Sequence, residues 1–271
     1  MLFKYSKKDI FLVIVCLLNV SGFLLAANYY HGLSSVMKVI LGVAFVCFYC
    51  TNYQCVSHNF IHNNFFTSDK LNFVFSLINS MAMGLPQTLY YQHHMNHHRY
   101  NNDKPAKGNE TKDISSLYRY GKDGKEEGLL TYSFIGFFRI DLVSLAKRNK
   151  GAKRRLFYVE LISVLIFWCV LIDINYKFFL MFYLPVWYLG QVAALMENYF
   201  EHYGAGVNDR KRDSVSCYNK FYNFLWFNNG YHQEHHFSPT THWTEIEKVK
   251  DLLPKDRKIV DGAHFFNFPR S

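Results

Sequence analysis

Long apolar blocks alternate with strongly polar ones along the 271-residue chain. The block over 10–27, "IFLVIVCLLNVSGFLLAA", is nearly uncharged and long enough to cross a bilayer with little tilt. Lys4, Lys7 and Lys8 precede it. A cleaved secretory signal, with Ala26 and Ala27 at the cleavage site, is the competing reading; the block exceeds a usual signal core, so a retained anchor is expected. A second span is expected over 36–56, with Lys38 snorkelling to the interface near its start. His58 follows Lys38 by 20 residues, or about 30 Å of helix, so "HNFIH" emerges on the same side as the N-terminus. Residues 156–172 and 178–196 predict two more spans, joined by a hairpin at "DINYK".

Two further stretches are ambiguous. Residues 71–91 are apolar enough to cross but are interrupted by Gly84 and Pro86, and 129–146 carry Arg139 and Asp141 on an amphipathic pattern. If 71–91 crossed, the histidines at 93–98 would lie opposite His58 and His62. Both stretches are therefore read as interfacial or re-entrant. The expected fold is an all-α integral membrane protein, a single domain over 1–271. It has four transmembrane helices, interfacial or re-entrant helices, and a cytoplasmic cap.

Charge adds an orientation. The formal net charge is +9, and nearly all Lys and Arg fall in the N-terminus, the 58–155 loop and the segment after 199. By the positive-inside rule that face is cytoplasmic, and a bacterial inner membrane is expected. The basic residues flank apolar spans and form no single stripe, so nucleic acid is not an expected partner. The 26 Phe and 20 Tyr suit a large core or a membrane interface. Cys47 and Cys50 have CxxC spacing but sit mid-span, where packing explains them; no disulfide framework is expected.

Histidine carries the chemistry. Four groups lie at the cytoplasmic ends of apolar segments. His58 and His62 are i, i+4, one turn apart on one helix face. In "HHMNHH", His94, His97 and His98 form H-x-x-H-H; His93 is also i−4 from His97, so spacing alone leaves open which of His93 and His94 belongs. In "GYHQEHHFSP", His232, His235 and His236 repeat H-x-x-H-H. One such triple arises by chance in roughly 3% of sequences of this composition, and two in well under 1%. Asn198 and His202 in "ENYFEHYG" are again i, i+4. Neutral nitrogen ligands suit iron, copper, nickel and zinc. Eight or nine of them supply two metals; a structural zinc needs four ligands and commonly uses Cys.

These residues resemble the membrane fatty acid desaturase and hydroxylase superfamily. "HNFIH", "HHMNHH" and "HQEHH" are similar to its three histidine boxes, in order. "NYFEHYG" resembles a segment of membrane alkane hydroxylases, and "GYHQEHHFSPTTHW" is similar to carotenoid ketolases. The resemblance covers roughly 36 to 245. It implies a di-iron centre, two Fe2+ with O2 as co-substrate, that removes hydrogen from an unactivated C–H bond of a lipid chain. The implied ligands are His58, His62, His94, His97, His98, His202, His232, His235 and His236, with Asn198 a weak or water-mediated tenth. Glu197 and Glu201 bracket Asn198 and are expected beside the centre. Asp103, Glu110, Asp113 and Glu234 are candidates to accept the second ring N–H of a ligand, and His93 is a candidate partner. His31, His242 and His264 fit no box. Phe45, Tyr49, Tyr53, Trp168 and Trp187 are candidate linings of an apolar tunnel, although each alone reads as ordinary packing.

Fatty acyl desaturation is the expected outcome; hydroxylation or ketone formation on alkanes, acyl chains or carotenoids uses the same centre. No fused electron carrier is evident, so an external ferredoxin, rubredoxin or b-type cytochrome is expected. The basic stretches 104–125 and 147–155 would attract an acidic carrier, or equally anionic lipid headgroups. A membrane metal transporter or sensor is the reading from another class. It predicts ligands near the bilayer midplane, where the spans are almost bare; Glu160 is the main exception.

Overall fold

The computed structural model describes residues 1–105, 110–207 and 209–268; Lys107, within the basic 104–125 stretch, lies outside them. Helices dominate, and the described residues fall into two compact units interleaved along the chain.

The first unit comprises 1–92 and 141–194. Helix α1 (Asp9–Tyr29) leads to α2 (Ser35–Thr51), whose first turn is capped by the Ser34 side chain accepting from the Met37 N–H. A π-helical turn, Asn52–Ser57, continues into α3 (His58–His62). Such turns insert a residue and are frequent at functional sites. Helix α4 (Asp69–Met83) ends at Gly84, whose φ of 62° terminates it in the left-handed region. A Cβ there would lie 2.6 Å from the Trp187 indole, so only glycine fits. Pro86 then opens α5 (Gln87–Tyr100), whose first turn is anchored where the Thr88 N–H and hydroxyl donate to Glu160 at 2.9 and 2.7 Å. The 71–91 stretch is thus two helices. At 1.5 Å per residue the 15 residues of α4 span about 22 Å, short of a bilayer core.

Helix α8 (Gly151–Phe178) breaks at Asn175, whose φ of −164° and ψ of 95° are extended. A π-turn, Phe179–Tyr183, then leads into α9 (Leu184–His202). Trp168 and Trp187 would be about 28 Å apart on one continuous helix. Their ring centroids are 6.1 Å apart, so the chain doubles back at Asn175. Among the described residues, three helical stretches are long and apolar enough to cross a membrane: Asp9–Gly32, Ser35–His62 and Gly151–His202, the last being this folded-back pair. Large apolar side chains such as Phe11, Leu18, Val39, Val43, Ile162 and Ile166 are exposed on them, as lipid contact requires.

The core of this unit is aromatic. Phe23, Phe45, Tyr49, Tyr53, Phe167, Phe178 and Tyr183 pack together around Met83. Tyr49 and the Trp187 indole both donate to the Met83 carbonyl, and Trp168 donates to the Tyr183 hydroxyl at 3.0 Å. Tyr49 and Trp187 thereby satisfy the Met83 carbonyl freed where α4 ends.

The second unit comprises 93–140 and 195–271. It holds the end of α5, α6 (Leu129–Gly136), the end of α9, α10 (Lys220–Leu225) and α11 (His232–Phe237). The remaining helix, α7 (Leu142–Arg148), belongs to the first unit and starts at Asp141, whose carboxylate accepts from the Ser144 N–H. The helical pattern over 129–146 is therefore split near Ile140. The second unit also contains a short strand pair, beside the isolated Phe3–Phe66 bridge of the first unit. Here β1 (Ser216–Cys217) and β2 (Ile259–Val260) form a two-residue parallel pair, Ser216 opposite Ile259.

Candidate metal centre

Local chemistry in the second unit aims the histidines. On α5, His94, His97 and His98 share one face. The helix ends at Tyr100, and Asn101 and Asn102 take left-handed φ values of 50° and 55°, which asparagine tolerates. That turn returns the chain along α5. The Asn102 side chain accepts from the Leu117 N–H at 2.8 Å, and the Asn102 N–H donates to Asp113 at 2.8 Å. Helix α11 is positioned by Gly230. Its carbonyl accepts from the Cys217 N–H at 2.7 Å, and an added Cβ would meet the Cys217 carbonyl at 2.4 Å.

His97, His202, His232 and His236 are buried, with ring nitrogens gathered within 4.8 Å of one another. The Nε2 atoms of His97 and His202 are 3.0 Å apart, and those of His202 and His232 3.1 Å apart. The His236 ring lies 4.5 Å from His232, 4.8 Å from His202 and 5.0 Å from His97. Neither ring nitrogen of His236 has a hydrogen-bond partner among the described residues. Burial, then the neighbouring rings of His232, His98, His202 and His97, hold its pKa well below the usual histidine range. The ring is therefore neutral, with a lone pair to offer.

The same unit brings His94, His98 and His235 together. The Nε2 of His98 is 2.9 Å from that of His94 and 3.0 Å from that of His235. Nitrogens bound at about 2.1 Å to one metal lie about 3.0 Å apart at right angles. The observed spacings match those edges, as they also match ring N–H···N hydrogen bonds. Several buried imidazoles that turn their nitrogens toward one another form a donor set that fits a metal.

Three rings of the four-histidine group, those of His97, His202 and His232, are held from behind. His97 Nδ1 is 2.8 Å from Asp113 and 3.3 Å from the Ser115 hydroxyl. Burial pushes the Asp113 carboxyl up, but the His97 ring and donors from Asn102 and Ser115 more than reverse this and hold it well below the usual carboxylate range. His202 Nδ1 is 3.0 Å from the Asp213 carbonyl. The Asp213 carboxylate, pushed up to about 6 by burial, accepts from Asn101 and Gln233. His232 Nδ1 is 3.4 Å from Glu201. Such partners fix tautomer and ring orientation at metal sites.

Other candidates are placed elsewhere. Asp103 accepts from the Lys112 and Asp113 N–H groups, 2.9 Å each, and shapes the loop. Glu110 pairs with Arg119 at the surface. Glu234 is buried but faces Arg257 at 3.2 Å and the Ser216 and Tyr218 hydroxyls. His93 joins neither histidine group among the described residues and lines a pocket with Ser116, Glu127, Tyr132 and Arg139. The Asn198 amide donates to the Tyr132 hydroxyl at 2.7 Å. In the first unit, His58 Nδ1 is 3.1 Å from the Gln54 carbonyl, and the His58 and His62 rings are 5.5 Å apart.

Two residues beside the centre have no motif to announce them. Asp213 stands in a basic loop, "RKRDSVS", and His264 in "GAHFFN". His264 is fully buried with its Nδ1 3.2 Å from Glu197.

Among protein families, the model described as fatty acid desaturase matches residues 33–259. No curated protein matches the chain.

Proposed function

The chain belongs to the fatty acid desaturase family, and from that premise we propose that it is a di-iron membrane oxidoreductase that desaturates a fatty acyl chain. The balanced reaction consumes one O2, two electrons and two protons, converts –CH2–CH2– to –CH=CH–, and releases two waters. Bound iron supplies O2 activation and hydrogen abstraction. The carrying observation is the buried group His97, His202, His232 and His236, with neither ring nitrogen of His236 hydrogen-bonded among the described residues.

The ligand set of this reading is His94, His97, His98, His202, His232, His235 and His236, joined by the box pair His58 and His62 on spacing and order of motifs. Asn198 is the weak or water-mediated tenth. Two divalent ions held only by neutral imidazoles carry four uncompensated positive charges. Asp113 on His97 and Glu201 on His232 supply nearby negative charge and orient the rings. Burial of the four-histidine group keeps water from the reacting atoms.

The full reading takes 1–271 as one desaturase-like domain. It has four membrane crossings, the centre at the cytoplasmic face, and an external ferredoxin, rubredoxin or b-type cytochrome as donor. The folded-back α8–α9 pair supports the third and fourth crossings, and the distribution of Lys and Arg supports the orientation.

Metal analysis of the purified chain after iron-replete expression tests the centre. About two irons per chain are expected; zinc without iron overturns it. Mass spectrometry of host lipids, with the native chain and with His97→Ala, tests the reaction. New double bonds lost in the variant support desaturation. New hydroxyl or keto groups move the assignment to hydroxylation, to which the Asn198–Gly204 wording points.

A further inference from the structure

The residues after 259 lie beyond the family match, yet they bring one imidazole to the rear of the centre. His264 sits in a single helical turn, His264–Phe266, with no exposed surface. Its Nδ1 is 3.2 Å from Glu197 Oε1 and 3.7 Å from Glu201 Oε1. The Tyr222 hydroxyl donates to the same Glu197 oxygen at 2.6 Å, and the Asn229 amide donates to Glu201 Oε1 at 2.8 Å. That Glu201 oxygen faces His232 Nδ1 at 3.4 Å, while His232 Nε2 turns toward His202.

His264 therefore lies within ion-pair distance of both carboxylates, and Glu201 within ion-pair distance of His232. Glu197 and Glu201 are i, i+4 on α9, so their side chains share a face. Two buried carboxylates side by side repel and need donors to hold them. Their ion-pair partners are imidazoles, His232 and His264. With Nδ1 donating to Glu197 Oε1, His264 Nε2 carries only a lone pair, consistent with its buried position without a hydrogen-bond partner among the described residues.

We infer that His264 is a positioning residue for the metal centre: its Nδ1–H holds the Glu197–Glu201 pair so that Glu201 fixes the orientation of His232. This rests on the reading of His232 as a ligand. It assigns a role in the centre to a histidine outside every histidine box.

Two substitutions separate a hydrogen-bonding role from simple packing. Asparagine places an amide N–H near the position of Nδ1 but fills less space; phenylalanine keeps the ring and removes the donor. In the full chain loaded with iron, the rate of iron loss to a chelator is measured for native protein, His264→Asn and His264→Phe. The Phe variant is expected to lose iron about 10-fold faster, in line with the loss of an outer partner at a metal site. The Asn variant stays within about threefold of native. In a Glu201→Gln background the effect of His264→Phe should vanish, because both act on one ligand.

The inference is overturned if Phe retains iron better than Asn, if both match native, or if His264→Phe keeps its full effect beside Glu201→Gln. It is also overturned if native protein holds a third metal that both His264 variants lose, since the cluster would then be a ligand set. Native protein that takes up zinc and no iron sinks the di-iron reading alone, and the same variants are then compared for zinc loss.

Discussion

Two segments of the second unit carry the same H-x-x-H-H spacing on unlike supports. On α5 the triple rides the last turns of a 14-residue helix; on α11 it occupies most of a six-residue helix. A short helix cannot hold three imidazoles by its own stability. Tertiary contacts do it for α11. The Gly230 carbonyl ties to β1, Glu234 pairs with Arg257, and the Gln233 amide reaches the Arg210 carbonyl and Asp213. The middle histidine of α5, His97, leans on Asp113, an acid 16 residues away that sits below the usual carboxylate range. The first histidine of α11, His232, leans on Glu201, which is backed by Glu197 and His264. Equal spacing thus yields unequal dependence: one triple needs a loop, the other a network.

The largest break in the comparison comes from the rings themselves. His97→Ala and His236→Ala each remove a nitrogen from the four-histidine group, and both should abolish product formation, a loss of at least about 100-fold. Iron per chain, measured on the same preparations, should fall from about two toward one. Product formation at native levels in either variant would remove that ring from the centre.

Next come the carboxylates behind the rings. Asp113→Asn and Glu201→Gln keep size and remove charge, and each should weaken iron retention by about 10- to 100-fold. The comparison predicts a ranking. Asp113 receives the shorter contact, 2.8 Å against 3.4 Å, so Asp113→Asn should cost more. Chelator competition reads this directly, and a reversed order would mean that the Glu201 network carries more of the metal than its distance suggests.

How much of this was readable beforehand follows from range. The inward faces of α5 and α11 were legible, because 3.6-residue periodicity is local and two matching triples are hard to produce by chance. So was the reversal near Asn175, where five polar-leaning residues interrupt two apolar blocks, and so was the interruption at Gly84 and Pro86. The partners were not. Of the acids proposed to face a ring, Asp113 does, whereas Asp103 and Glu234 spend their oxygens on backbone and on Arg257. All three lie within a few residues of a histidine box or its loop, so proximity in sequence could not rank them. His264 carries no motif signal because it stands alone, 28 residues after the last box, and acquires meaning only when the chain folds back on Glu197. The π-turn at Asn52–Ser57 is a backbone choice without a residue signature.

Arg257 separates support of the helix from support of the metal. Its guanidinium is the buried cation beside Glu234, so Arg257→Met leaves a buried carboxylate unpaired, at about 3–5 kcal/mol of stability. Thermal unfolding of the purified chain should show a lowered midpoint. At temperatures where the variant remains folded, iron per chain should stay near native, because the Glu234 carboxylate is taken up by Ser216, Tyr218 and Arg257 and faces no ring nitrogen among the described residues. Iron loss without a lowered midpoint would place Glu234 in the centre after all.

The smallest expected effect concerns Asn198. Its amide donates to Tyr132, whose own hydroxyl donates to the Ser115 carbonyl, and Ser115 in turn donates to Asp113. That path ends behind His97, so Asn198 can reach the centre by bracing Asp113 as well as by holding a water on the metal. Asn198→Asp and Tyr132→Phe distinguish the two. If Asn198 acts through Tyr132, Asn198→Asp loses one hydrogen bond and Tyr132→Phe loses two, each of about 1 kcal/mol, so iron release quickens in both, by about a few-fold in the first and about 10-fold in the second. If Asn198 holds a metal-bound water, Tyr132→Phe leaves iron release unchanged, while Asn198→Asp offers the metal an anionic oxygen and slows release below the native rate.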